Sequence, residues 1–122
     1  MKKILIAEPN DFVRNMISST FQNAGFEAIS VNNDMEAINR ASFSKPDAIL
    51  LDSFVSRDIH HTIKFMKSHP AISRSIPIMV STDFMDQAFI NGAIDAGAID
   101  IIEKPFVRDS LVEKFSTLLN TA

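Results

Sequence analysis

A chain of 122 residues has the length of one domain, ~100–200 residues, and its 12 Lys+Arg against 15 Asp+Glu, net −3, lack the basic excess of a nucleic-acid binder. Cysteine is absent, which removes disulfides, Cys–zinc sites and thiol nucleophiles together and fits a reducing compartment. Gly25, Gly92 and Gly97 are spaced so that no GxGxxG loop or P-loop exists, and Tyr and Trp are missing while Phe numbers ten. Residues 1–122 are therefore expected to form a single domain with no attached DNA-binding or catalytic half. No run approaches the ~20 apolar residues of a membrane span. The apolar run after Met1-Lys2-Lys3 breaks at Glu8-Pro9, too early for a signal peptide, so a cytoplasmic location is expected.

In chain order, Ile4-Leu5-Ile6-Ala7 is uninterrupted by polar residues, as a strand buried on both faces would be. Phe12, Val13, Met16, Ile17, Thr20, Phe21 and Ala24 then recur at helical spacing, with Asn10 or Asp11 as N-cap and Gly25 just past the end. Ala28–Val31 alternates more and reads as an edge strand. A helix over 34–43 leads to the apolar strand Ala48–Leu51, and a helix over 58–68 ends before His69-Pro70. Pro77 introduces the strand Ile78–Val80. The helix over 85–96 carries a core stripe of Met85, Phe89 and Ala93. Ile90 and Ile94 beside it read as a widening of that buried stripe, the alternative being an exposed apolar patch with Phe84. Ala96-Gly97 stops this helix, Ile99–Ile102 forms the last strand, and Leu111, Val112, Phe115, Leu118 and Leu119 mark a final helix.

Strands alternating with helices through short connections are parallel and joined by right-handed crossovers. Five strands are too few for an eight-stranded barrel, leaving an open, doubly wound α/β sheet. Ligands bind such sheets outside the carboxyl ends of the strands. The residues there are Glu8 after the first strand, Asp52 after the third, Ser81 at the end of the fourth and Lys104 just past the fifth. Singly, each reads as a polar strand cap. Together, two carboxylates, a hydroxyl and an ammonium suit a divalent cation and a phosphoryl group, because Mg²⁺ takes one or two carboxylates plus phosphate oxygens and Lys supplies a point charge.

The chain resembles the receiver domain of bacterial response regulators, the CheY-like family, over essentially its whole length. The resemblance is carried by Ile4-Leu5-Ile6-Ala7-Glu8 with Arg14, by Pro46-Asp47-Ala48-Ile49-Leu50-Leu51-Asp52, by Ile76-Pro77-Ile78-Met79-Val80-Ser81, and by Ala96-Gly97-Ala98 leading to Lys104-Pro105-Phe106. It implies a flavodoxin-like (βα)5 sheet in strand order 2-1-3-4-5, and a non-enzymatic signalling domain of a two-component phosphorelay. Asp52 would accept a phosphoryl group from a sensor histidine kinase or phosphotransfer protein. Ser81, Lys104 and Thr82 would contact that group, Thr82 also narrowing access as a larger residue than usual. Mg²⁺ would be held by Glu8, Asp52 and the backbone carbonyl of Phe54. Pro105 would follow a cis peptide bond, and Ser81 with residue 101 would form the switch. Homodimers would use the fourth helix, fifth strand and fifth helix.

Several residues depart from the family pattern. Pro9 stands where a second acid normally touches the metal, and proline offers neither carboxylate nor N–H, so Mg²⁺ binding should weaken. Asp11 is the nearest replacement, though its place suits the start of the first helix. Ile101 replaces the switch aromatic and cannot swing a ring. Phe54, two residues past Asp52, either shields an acyl phosphate from water or packs its loop. His60-His61 with Asp58 lacks a third ligand at helical spacing, which speaks against zinc. Pro9 and Ile101 keep open an alternative, a pseudo-receiver that binds partners independently of phosphorylation. A small enzyme or nucleotide binder lacks the glycine loop or nucleophile–base pair it would need.

Overall fold

The computed structural model describes residues 1–120. Five strands, β1 (Lys3–Ala7), β2 (Glu27–Val31), β3 (Ala48–Asp52), β4 (Ile78–Thr82) and β5 (Asp100–Glu103), alternate with five helices. These are α1 (Asp11–Asn23), α2 (Asp34–Ser44), α3 (Ile59–Ser68), α4 (Gln87–Ala96) and α5 (Arg108–Leu118). Every strand pair is parallel and the order is β2-β1-β3-β4-β5, as the sequence implied.

Period-two alternation sends the strands' apolar side chains to two cores. Leu5, Ile49, Leu51, Val80 and Ile101 pack under α2, α3 and α4 with Ile63, Met66 and Ala93. Ile4, Ile6, Leu50, Met79 and Ile102 pack on the other face against Ile17 and Phe21 of α1 and Leu111 and Phe115 of α5. The Phe21 ring meets those of Phe26 and Phe115 edge-on, so three of the ten phenylalanines close this second core.

Helix starts follow side-chain capping. Asn10, Asn33, Asp58 and Asp86 each accept a backbone N–H three residues on. Gly25 (φ 92°) and Gly97 (φ 123°) take the left-handed turns just past α1 and α4.

Several edges differ from the sequence reading. Asn10, not Asp11, caps α1. Phe12 and Ala24 face solvent, because the α1 stripe is narrower than the run of apolar residues suggested. Met85 lies ahead of α4, exposed, and Ile94 is exposed too, while Phe89 and Ile90 pack partly against the core. The widening of the buried stripe thus takes in Ile90 but not Ile94, while Ala93 and Ala96 stay buried. The last strand begins at Asp100 and leaves Ile99 exposed, since only its two central residues have both faces covered.

Candidate functional site at the carboxyl edge of the sheet

The register fixes the site. Ala7 pairs with Leu51 and Asp52 pairs with Ser81, so the residues leaving β1, β3 and β4 emerge side by side. Lys104 joins them because its N–H donates to the Thr82 carbonyl at 2.9 Å, one step past the end of β5. The Lys104–Pro105 peptide bond is cis.

The Lys104 ammonium lies 2.7 Å from Asp52 Oδ1 and 2.9 Å from Glu8 Oε1. Both carboxylates are 2 % exposed. A buried carboxylate without a countercharge is costly, and one ammonium serves both. Burial pulls the Lys104 proton affinity down, but the hydrogen bonds to Asp52 and Glu8, together with their negative charges, raise it above the ordinary lysine value.

The remaining carboxylate oxygens are also held. Asp52 Oδ2 accepts the Phe54 N–H at 2.9 Å, and Glu8 Oε2 accepts the Asn10 N–H at 3.0 Å. Ser81 Oγ sits 3.5 Å from Asp52 Oδ1, the outer limit of a hydrogen bond. Arg14 Nη1 donates to the Glu8 carbonyl at 3.0 Å while Nη2 pairs with Asp11 at 2.6 Å. Asp11 is thereby engaged by the helix it begins. Thr82 is buried, and its Oγ1 accepts from Ser53 Oγ and the Phe84 N–H, both at 3.1 Å.

A cleft of about 440 Å³ opens over this edge, lined among others by Glu8, Pro9, Asn10, Asp52, Phe54, Asp83 and Lys104. Glu8, Asp52, Ser81 and Lys104, expected at this edge from the sequence, lie together there. Not foreseen were the Asn10 amide on Glu8, the Arg14 contact and Asp83. The first was legible in hindsight: Pro9 has no N–H, so residue 10 is the next amide available to cap the Glu8 carboxylate.

Glu8 and Asp52 put two carboxylates, hard oxygen donors of the kind Mg²⁺ takes, at one cleft, which fits that ion with a reduced set. Among the described residues no group of three or more His, Cys, Asp or Glu side chains is placed to hold a metal. His60 Nε2 instead meets the Phe89 carbonyl at 3.2 Å and its ring lies against Phe89. Ile101 is buried beneath α4 with Ala93, Ala96 and Ala98. Phe54 is 60 % exposed and stacks edge-on against Phe84, ring centroids 5.9 Å apart.

Comparison with known proteins agrees with this geometry. The model of the response regulator receiver domain family matches residues 4–116. The chemotaxis protein CheY of Thermotoga maritima is 32 % identical over 113 residues, 92 % of each chain. The regulatory protein AtoC of Escherichia coli is 31 % identical over 112 residues, 91 % of this chain but 24 % of AtoC. Among solved structures, the receiver domain of a sensor histidine kinase from Pseudomonas aeruginosa superposes with a TM-score of 0.87 at 23 % identity, covering 98 % of both chains; that structure carries a magnesium ion in its active site cleft. With the family model matching residues 4–116 and CheY relatives matching over nearly the full length, the chain belongs to the response regulator receiver domains of two-component signalling.

Proposed function

We propose that the chain receives a phosphoryl group on Asp52 from the phosphohistidine of a sensor histidine kinase or phosphotransfer protein and signals by changing its protein contacts. The observation that carries this reading is the Lys104 ammonium seated between the Asp52 and Glu8 carboxylates at the sheet's ligand-binding edge. An Asp52 oxygen forms the new P–O bond, the P–N bond to the donor imidazole breaks, and its electron pair returns to the ring nitrogen. Lys104 offsets the negative charge carried in by the phosphoryl group, and the Ser81 hydroxyl turns to one of its oxygens. Positioning and charge compensation are the whole of the chemistry asked of the site. Glu8, Asp52 and the Phe54 carbonyl would hold Mg²⁺, which supplies further charge neutralisation when bound, and Pro9 weakens that hold.

The chain acts on this reading as a signalling domain rather than an enzyme. It works in the cytoplasm without direct contact to nucleic acid, and α4, β5 and α5 present the surface for a second copy. The assembled triad favours a phosphoacceptor over a phosphorylation-independent module. Incubation with Mg²⁺ and acetyl phosphate, followed by intact mass, tests it: the chain gains one phosphoryl mass and Asp52→Asn does not. No gain, or an equal gain in Asp52→Asn, overturns the reading.

A further inference from the structure

The residue at the family's aromatic switch position, Ile101, is buried and aliphatic, so a phosphoryl group on Asp52 needs another way to reach α4. The two loops over the acceptor supply one. Ser53 N–H donates to the Ser81 carbonyl at 2.8 Å, which carries the β3–β4 pairing one residue past Asp52. Ser53 Oγ then reaches Thr82 Oγ1 at 3.1 Å, and the same Thr82 oxygen receives the Phe84 N–H. Beyond this polar tie the Phe54 and Phe84 rings meet edge-on at 82°, the geometry in which aromatic quadrupoles attract.

Both ends of the tie bear on functional elements. The Phe54 N–H is bonded directly to Asp52 Oδ2, so the backbone that aims the Phe54 ring is set by the acceptor carboxylate. Phe84 stands two residues before Asp86, whose side chain caps α4 by accepting the Phe89 N–H at 3.1 Å. Both rings are more than half exposed, so they can change position without opening the core.

We infer that the Phe54–Phe84 pair is the relay through which the state of Asp52 reaches the start of α4, in place of the residue 101 switch. The inference rests on the phosphoacceptor reading above. Converting the carboxylate to an acyl phosphate changes the acceptor strength of Oδ2. The Phe54 amide responds, the Phe54 ring shifts against Phe84, and the 83–86 loop passes the shift to the α4 cap.

Backbone amide NMR of the full chain, with Mg²⁺ and beryllium fluoride as the phosphoryl mimic, tests this in wild type, Phe84→Leu and Phe84→Ala. Thermal melts establish that both variants fold, as substitution of an exposed ring predicts. In wild type, shifts are expected at Ser53, Ser81 and Lys104 and along Gln87–Ala96. In either variant the site shifts persist and the α4 shifts are lost. Wild-type α4 shifts in both variants, or a wild-type α4 that stays silent while the site responds, overturns the relay alone. A wild-type site that does not respond overturns the phosphoacceptor reading and the relay with it.

Discussion

Lys104 Nζ stands 2.7 Å from Asp52 Oδ1 although 52 residues separate the two in sequence, and the same ammonium is 2.9 Å from Glu8 Oε1. The Asp52 carboxylate is therefore already paired before any ligand arrives, sharing one cation with Glu8. Two loops from opposite ends of the chain are held together by one cation.

Removing that cation should be expensive. In Lys104→Met the buried carboxylates of Glu8 and Asp52 lose their shared partner, and breaking such a cluster costs about 3 kcal/mol, the low end because the ammonium keeps an edge in solvent. Urea denaturation followed by circular dichroism measures the loss; a change within error of zero contradicts it. The pH dependence has a definite sign. A lysine whose folded-state pKa is raised contributes stability that is fully present below the unfolded value, 10.5, and is lost as pH rises through the folded value. The gap between wild type and Lys104→Met should stay level from neutral pH to about that value and shrink above it.

Pro9→Asp should strengthen Mg²⁺ binding at least about tenfold, since a third carboxylate joins Glu8 and Asp52 at the same cleft. Isothermal titration of wild type, Pro9→Asp and Pro9→Ala separates the added charge from the freed backbone. Equal affinities in Pro9→Ala and Pro9→Asp would show that the missing carboxylate is not what limits the site.

Ile101→Tyr should destabilise the fold by about 1–3 kcal/mol, because the side chain is buried in the core beneath α4 and a larger ring overpacks it. Chemical denaturation reads the cost. An unchanged midpoint would mean that an aromatic side chain fits this position and that the chain tolerates the usual family residue.

The α3–α4 contact offers a double-mutant cycle. A Cβ on Gly92 would lie 2.8 Å from His60 Cε1, and that ring is bonded to the Phe89 carbonyl. Gly92→Ala in the wild type should therefore yield none of the ~1 kcal/mol that Ala normally gains over Gly in a helix. In a His60→Ala background the same substitution should recover it. Identical effects in both backgrounds would contradict the close packing.

How much of this was legible beforehand depended on the kind of residue. Glu8, Asp52, Ser81 and Lys104 could be placed because doubly buried strands read as apolar runs and the polar residue that ends each run marks the sheet edge. Hydrogen-bond partners in loops could not. The Ser53–Thr82 link depends on how far the β3–β4 pairing runs past Asp52, which no periodicity announces. Apolar residues at helix ends also misled, since Phe12 and Met85 match the stripe spacing yet sit where no neighbouring element covers them. Phe54 and Phe84 were noticed separately, but only the paired loops bring their rings together.

Whether Asp52 carries the phosphoryl group is settled by trapping the acyl phosphate chemically. After acetyl phosphate and Mg²⁺, borohydride reduces an aspartyl phosphate to homoserine, and peptide mass spectrometry locates it. Homoserine is expected at position 52 and at no other position. Reduction at another acidic residue, or none in a chain that remains folded, would contradict it.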